Sequence, residues 1–106
     1  MISPVYANPP IVRPGGYVLI SAEERTIANV LTTAGTSTTV TINKPDGVEQ
    51  LAATAMTADA TGKHSYNFAT TTAMQPGRYT VIITTVDGGV TSIQREVGLF
   101  TITNEV

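Results

Sequence analysis

The 106-residue sequence contains no cysteine, which excludes disulfides, thiolate chemistry and zinc sites built on cysteine. Charged residues are also scarce, at 13% of the chain with a net charge of −2, whereas an ordinary globular domain has about 25%. The six Lys and Arg residues do not form the basic stripe of a nucleic-acid-binding protein. Every apolar run is far shorter than the roughly 20 residues of a membrane span. We therefore expect a single domain with neither nucleic acid nor membrane as a partner.

A secretory signal is missing as well. Residues 1–10 contain neither the positive region nor the apolar segment that such a signal requires. This favours a protein that is made and kept in the cytoplasm, with a mature N-terminus left by processing as the alternative.

Catalytic and metal-binding patterns are equally hard to find. His64 is the sole histidine and has no second ligand nearby in the sequence, so we expect it to pack on a strand. The serines lack the context of a nucleophile elbow. Asp46, Asp59 and Asp87 each stand in a predicted turn, where a carboxylate accepts a bond from nearby backbone. The alternative, a calcium site at a loop end, lacks supporting acidic spacing. We predict no enzyme activity, no cofactor, no metal site and no small-molecule ligand.

Threonine, by contrast, is the commonest residue. Its branched Cβ and its hydroxyl suit the outward positions of β-strands, which many proteins fill with Lys and Glu. Two interpretations stay open: a β-rich composition with no further meaning, or a surface that neighbouring subunits cover, since interface cores are depleted of charge.

Short alternating apolar segments, separated by turn signals, run through most of the chain. The Pro45-Asp46-Gly47 turn is one such signal, because Pro presets φ and Gly takes the left-handed position; Gly62, Gly77 and Gly89 mark others. This spacing is typical of an antiparallel β-sandwich. The predicted strands cover residues 17–22, 38–44, 48–56, 63–68, 78–86 and 98–103.

Residues 1–16 hold four of the six prolines. Because Pro cannot donate to a β-ladder, we predict an extended arm, separate from a sandwich domain over residues 17–106. Ile11 and Val12 should lie along a sheet edge. Residues 1–9 should be mobile in the isolated domain and become ordered on a neighbouring subunit, with a frayed terminus as the alternative. The candidate partner-binding residues are Val5, Tyr6, Ile11 and Val12.

Residues 21–35 are ambiguous. Ser21 and Glu24 form a potential capping box, and apolar residues recur at helical spacing, but the many β-branched residues oppose a helix. We favour the end of a strand followed by a crossing loop, with one or two helical turns as the alternative. The apolar positions of the helical pattern are Ile27, Val30, Leu31 and Ala34, with Gly35 as the terminating residue.

The turn signals and the final strand stand in an order that resembles the immunoglobulin-like domains of bacteria and their phages. The matching pieces are Pro45-Asp46-Gly47, the segment from Thr61 to Tyr66, the segment from Pro76 to Tyr79, and Phe100-Thr101-Ile102. The resemblance extends over residues 10–103 and includes small stand-alone phage proteins. It implies an immunoglobulin-like Greek-key β-sandwich of about seven antiparallel strands.

Tyr79 stands two residues after Gly77 at the start of a strand, which resembles the tyrosine corner of Greek-key sandwiches. In that role its hydroxyl bonds upstream backbone. We therefore assign structural roles to Tyr79, Gly77 and the Pro45-Asp46-Gly47 turn. The sequence departs from antibody domains because it has neither cysteine nor Trp. The core must then come from Val18, Ile20, Val40, Ile42, Tyr66, Phe68, Val81, Ile83 and Leu99.

The resemblance and the composition favour a non-enzymatic structural or interaction module. The expected protein is a small phage virion component, such as a capsid decoration, neck or tail accessory subunit, made in the host cytoplasm and bound to other protein subunits. The alternative is an extracellular carbohydrate-binding or adhesion module of a larger secreted bacterial protein. That role needs exposed aromatics on one sheet face. Tyr6 and Tyr17 are candidates for stacking, although we expect Tyr17 to pack within the sheet.

Overall fold

A strand with one apolar face must cover that face with another layer, and this chain does so with two stacked sheets. The computed structural model describes residues 2–26, 30–32, 37–87 and 89–103. Within these ranges no helix is long and apolar enough to cross a membrane. The strands in the same ranges are β1 (Ile2–Asn8), β2 (Ile11–Val12), β3 (Tyr17–Glu24), β4 (Ser37–Asn43), β5 (Glu49–Ala55), β6 (Thr57–Ala60), β7 (Lys63–Ala69), β8 (Gly77–Asp87) and β9 (Val90–Ile102).

The sheets contain four and five strands. The four-stranded sheet has the order β1-β3-β7-β6, and the five-stranded sheet has the order β2-β9-β8-β4-β5. Strand β2 runs parallel to β9, whereas the other pairs are antiparallel. The predicted all-β sandwich is confirmed. The described strands exceed the expected number of about seven, because the proline-rich segment supplies β1 and β2 and because the chain changes sheets after β5 to form β6.

The core lies between the sheets and follows the two-residue period of the strands. Phe100 is at its centre, with its ring centroid 5.2 Å from that of Tyr79 and 5.8 Å from that of Phe68. The largest fully buried side chains are Tyr79, Phe100, Ile20, Ile42, Ile83, Ile102, Val18, Val40 and Val81.

Two residues of the predicted core are only partly buried, namely Tyr66 and Leu99. The error at Leu99 arose because the end of β9 is apolar on both faces, so that periodicity alone does not say which side faces inward. Phe100 pairs with the buried Tyr79 and therefore shares its inward face. The next register pair is Glu96 with Val81, so β9 carries two extra residues at this point, and an even number preserves the inward–outward alternation. Phe100, not Leu99, fills the core.

The proline-rich segment belongs to the sandwich, so the predicted boundary between an arm (1–16) and a domain (17–106) does not match the structure. Strand β1 pairs with β3 from Asn8 to Ile2, and the Ile2 side chain is buried. Residues 2–8 are therefore a strand of the sheet, where an arm separate from the domain was predicted. Prolines are tolerated here because β1 is an edge strand, where a missing N–H donor faces no partner. The predicted edge position of Ile11 and Val12 is confirmed by their pairing with β9.

The ambiguous segment is β-like wherever it is described. Strand β3 continues to Glu24, Arg25 forms a β-bridge with Leu31, and the N–H of Thr26 donates to the carbonyl of Val30 at 2.8 Å. In an α-helix the later residue is the donor, so this bond has the opposite direction. The predicted helical positions Ile27, Ala34 and Gly35 lie outside the described residues.

Candidate functional site

The predicted structural residues meet at one end of the sandwich. In the turn after β4, the N–H of Gly47 donates to the carbonyl of Lys44 at 2.9 Å, and Gly47 has a φ of +89°. The Asp46 carboxylate accepts a bond from the N–H of Val48 at 2.9 Å. Gly77 lies against this turn, because a Cβ at Gly77 would approach the Pro45 ring to 2.7 Å. The absence of a side chain at Gly77 thus lets the start of β8 pack on the turn.

Tyr79 fixes the same corner from inside. Its side chain is fully buried, and its hydroxyl donates to the carbonyl of Gln75 at 2.6 Å. This is the geometry of a tyrosine corner, in which the hydroxyl bonds backbone a few residues upstream. Burial raises the pKa of Tyr79, and the negative charge of Asp46 raises it further. The protonated phenol is therefore the form that the fold stabilises, and the contacts at this corner fit the structural role predicted for Tyr79, Gly77 and the turn.

We expect Tyr79→Phe to lower the free energy of unfolding by about 1–3 kcal/mol, because the Gln75 carbonyl loses its donor in a partly buried place. Urea denaturation of the two proteins measures the difference. An unchanged midpoint would show that the hydroxyl bond contributes nothing to the fold.

The pH dependence of this difference tests whether the fold holds Tyr79 as the neutral phenol. The unfolded phenol ionises near pH 10, whereas the folded Tyr79 has a raised pKa. Its stabilising contribution is therefore fully present below about pH 10 and is lost as the pH rises through the folded pKa. Because Phe does not ionise, the gap between the wild type and the variant should narrow above about pH 10. A gap that stays constant would show that Tyr79 ionises equally in the folded and unfolded chains and that its pKa is not raised.

The predicted partner-binding residues do not form one surface. Tyr6 is 56% exposed and Ile11 is 64% exposed, but they belong to different sheets. Val12 is buried and Val5 packs against the core, so the sandwich itself uses these two side chains. Successive side chains of a strand point to opposite faces, and this alternation separates Tyr6 from Val5 and Ile11 from Val12.

The outer face of the five-stranded sheet carries few charges, with Arg95 in its middle and Arg78 and Glu49 at one end. In its central row Thr84 pairs with Thr39 on one side and with Ile93 on the other, and in the next row Ile82 pairs with Thr41 and Arg95. We name this surface the threonine face; it consists of Thr39, Thr41, Thr80, Ile82, Thr84, Val86, Thr91, Ile93 and Arg95.

The outer face of the four-stranded sheet is different, because it carries two tyrosines. Tyr17 is 62% exposed, which corrects the expectation that it packs within the sheet. Tyr6 pairs with Ser21, and Leu19 lies in a row between Asn8 and Asn67. We name this surface the tyrosine face; it consists of Tyr6, Asn8, Tyr17, Leu19, Ser21 and Asn67.

Sequence reasoning missed Leu19 and Asn67 and misplaced Tyr17. A signal was present in β3, where Tyr17 and Leu19 share their face with the polar Ser21. The alternate positions of the strand begin with Val18 and Ile20, which are fully buried. Both faces of β3 are apolar near its start, but Ser21 is polar. It therefore identifies the side that it shares with Tyr17 and Leu19 as the outward one.

Two clefts lie at opposite ends of the sandwich formed by the described residues. One of about 440 Å³ lies beside the corner between Lys44 and the loop 71–75, and one of about 330 Å³ at the other end is lined by Glu24, Arg25 and Asp87 among others. Among the described residues no three His, Asp or Glu side chains stand close enough to hold a metal ion. His64 is buried opposite Ala22.

No protein-family model and no curated protein matches this sequence. Among solved structures, the crystal structure of the Lin-41 filamin domain has a TM-score of 0.57 at 16% identity, covering 91% of this chain and 85% of that chain. The alkylpurine DNA glycosylase AlkC of Pseudomonas fluorescens, solved bound to DNA containing an abasic site analogue, has a TM-score of 0.51 at 15% identity, covering 96% of this chain but only 30% of that chain. At such identities the likeness shows the fold alone, which is an immunoglobulin-like β-sandwich.

Proposed function

We propose that this chain is a non-enzymatic interaction module and, more specifically, a small phage virion protein that binds other virion proteins as a capsid decoration, neck or tail accessory subunit. The threonine face is the observation that carries the proposal. It offers another protein a broad sheet surface whose sole charged residue is Arg95, while Arg78 and Glu49 lie at one end of the same outer face. The phage assignment itself is supported by the resemblance of the sequence to phage immunoglobulin-like proteins.

Covering the threonine face with a partner costs little desolvation. Thr hydroxyls can bond across an interface or within their own sheet, and the side chains of Ile82, Val86 and Ile93 add apolar area. A charged group would have to be paired or leave water at a cost of several kcal/mol, and interface cores are accordingly depleted of charge. The scarcity of Lys and Glu on this face therefore fits a surface that a neighbouring subunit covers.

Thr84→Lys should weaken attachment to the virion by at least about 30-fold, equivalent to about 2 kcal/mol, because it places an unpaired charge at the centre of the interface. The measurement is saturable co-sedimentation of the purified protein with phage particles made without it. Since Thr84 faces outward and is only half-buried, the melting temperature should change little.

Thr57→Lys is the matched control, because it makes the same chemical change at an exposed residue of β6 in the other sheet. It should bind particles as the wild type does. If the wild-type chain neither occurs in particles of a phage that encodes it nor sediments with them, the virion role is wrong. Normal binding by Thr84→Lys would instead show that another surface makes the contact.

A further inference from the structure

The tyrosine face leaves two aromatic rings in solvent. Tyr6 and Tyr17 are each more than half exposed, and Leu19 between them is 42% exposed. None of the three is needed for the core, whose aromatic members are Tyr79, Phe100 and Phe68. A group of exposed large apolar side chains on one face marks a binding surface, and tyrosine combines broad contact area with a small loss of side-chain entropy.

The polar groups of the tyrosine face are uncharged and can both donate and accept. Asn8 and Asn67 flank Leu19 in one row of the sheet, and the next row runs from Tyr6 through Ser21 to Ser65. A primary amide has two N–H donors and a carbonyl acceptor, and a hydroxyl has both functions. Such groups match a ligand that presents neighbouring hydroxyl groups, each of which also donates and accepts.

A shallow depression of about 160 Å³ lies beside Tyr6 and includes Ser21 in its lining. Its charged lining residues are Glu23, Asp59 and Lys63, and Arg25 bonds Glu23 at 2.8 Å. These two carboxylates and two cations balance, so the depression has no surplus of positive charge that would attract a sulfated or phosphorylated ligand. Carboxylates here are well suited to accept bonds from hydroxyl groups.

We propose that the tyrosine face binds an uncharged oligosaccharide. One sugar ring lies in the depression with its C–H face on Tyr6, and the ligand continues along β3 toward Tyr17, whose Cα is roughly 14 Å away by strand geometry. Sugar C–H groups are slightly positive and are attracted to the negative face of an aromatic ring, while the hydroxyl edge meets the amides and serines. The site does not depend on the virion role, because it occupies the sheet opposite the threonine face.

A glycan array of neutral, sulfated and uronic-acid oligosaccharides, probed with the intact chain, tests this proposal. We expect binding to neutral oligosaccharides, with longer ligands preferred because a single ring cannot reach both tyrosines. Tyr6→Ala and Tyr17→Ala should each reduce the affinity for the best neutral ligand, measured by calorimetry, at least tenfold. Their melting temperatures should stay near that of the wild type, since both side chains are largely exposed.

Ile93→Ala is the matched control, because Ile93 is 64% exposed but lies on the threonine face; it should bind the glycan normally, and so should Thr84→Lys. The proposal is overturned if no neutral oligosaccharide binds, if only acidic ones bind, or if Tyr6→Ala and Tyr17→Ala bind as the wild type does. Light scattering that shows a dimer dissociated by Tyr17→Ala would assign the face to a second copy of the chain instead.

Discussion

Phe100→Ala is expected to destabilise the fold by about 3–5 kcal/mol, the usual cost of removing a large buried aromatic side chain. The Phe100 ring is 1% exposed and contacts the rings of Tyr79 and Phe68, so its loss leaves a cavity between the sheets. In a domain of this size the melting temperature should fall by roughly 12–40 °C. Urea denaturation and calorimetry measure the two quantities.

Val97→Ala is the control in the same strand. Val97 is 76% exposed, so its truncation should change the stability by no more than about 0.5 kcal/mol. The comparison tests the pairing of Phe100 with Tyr79, which directs Phe100 into the core. A larger loss from Leu99→Ala than from Phe100→Ala would mean that the alternation runs the other way and that the pairing of Phe100 with Tyr79 is wrong.

Gly62→Ala is expected to cost about 2–5 kcal/mol. Gly62 has a φ of +71°, and left-handed backbone costs a residue with a Cβ about 1–2 kcal/mol. The Cβ would also lie 2.8 Å from the carbonyl oxygen of Glu24 and 2.8 Å from the backbone nitrogen of Thr32. Backbone on both sides has little room to move, so overpacking adds about 1–3 kcal/mol. The free energy of unfolding in urea measures the total.

Gly47→Ala separates the two contributions. Gly47 has a φ of +89°, and beyond its chain neighbours no atom of the described residues lies within 4 Å of the place that an alanine Cβ would take. The substitution should therefore show only the backbone cost of about 1–2 kcal/mol. Equal losses at Gly47 and Gly62 would mean that the segment at Glu24 and Thr32 moves aside, and that the contact with Gly62 does not hold the end of β3 in place.

The two outer faces of the sandwich suggest a division of roles that the fold itself does not dictate. Immunoglobulin-like sandwiches share an architecture without sharing a function, so the assignment depends on what each face presents. The threonine face offers area with little charge, which suits a protein neighbour. The tyrosine face offers aromatic rings among amides and hydroxyls, which suits a sugar. Because the faces lie on opposite sides, both can be occupied at once.

Only part of the candidate surfaces could be predicted from the sequence. Threonine-rich outward positions were predicted because the two-residue period of β4 and β8 can be read directly from Val40 and Ile42 or from Val81 and Ile83. The tyrosine face was not, because β3 is apolar on both sides at Tyr17–Ile20 and periodicity alone cannot say which side faces solvent. Tyr6 lies beside Ser21 only because β1 pairs with β3. Prolines in a sequence argue against a paired strand, so this contact was not predicted.

The sequence by itself determined the sandwich class and its principal turns, since local steric preferences at Pro45, Gly47 and Gly77 and alternating apolar residues act over a few positions. It also identified Tyr79, because a tyrosine corner closes over four residues, from Tyr79 to Gln75. Only the tertiary structure decided the rest. Strand pairing across the chain made residues 2–8 an edge strand, and the pairing of Phe100 with Tyr79 placed Phe100 instead of Leu99 in the core. These outcomes depend on contacts between residues far apart in sequence, which no local pattern encodes.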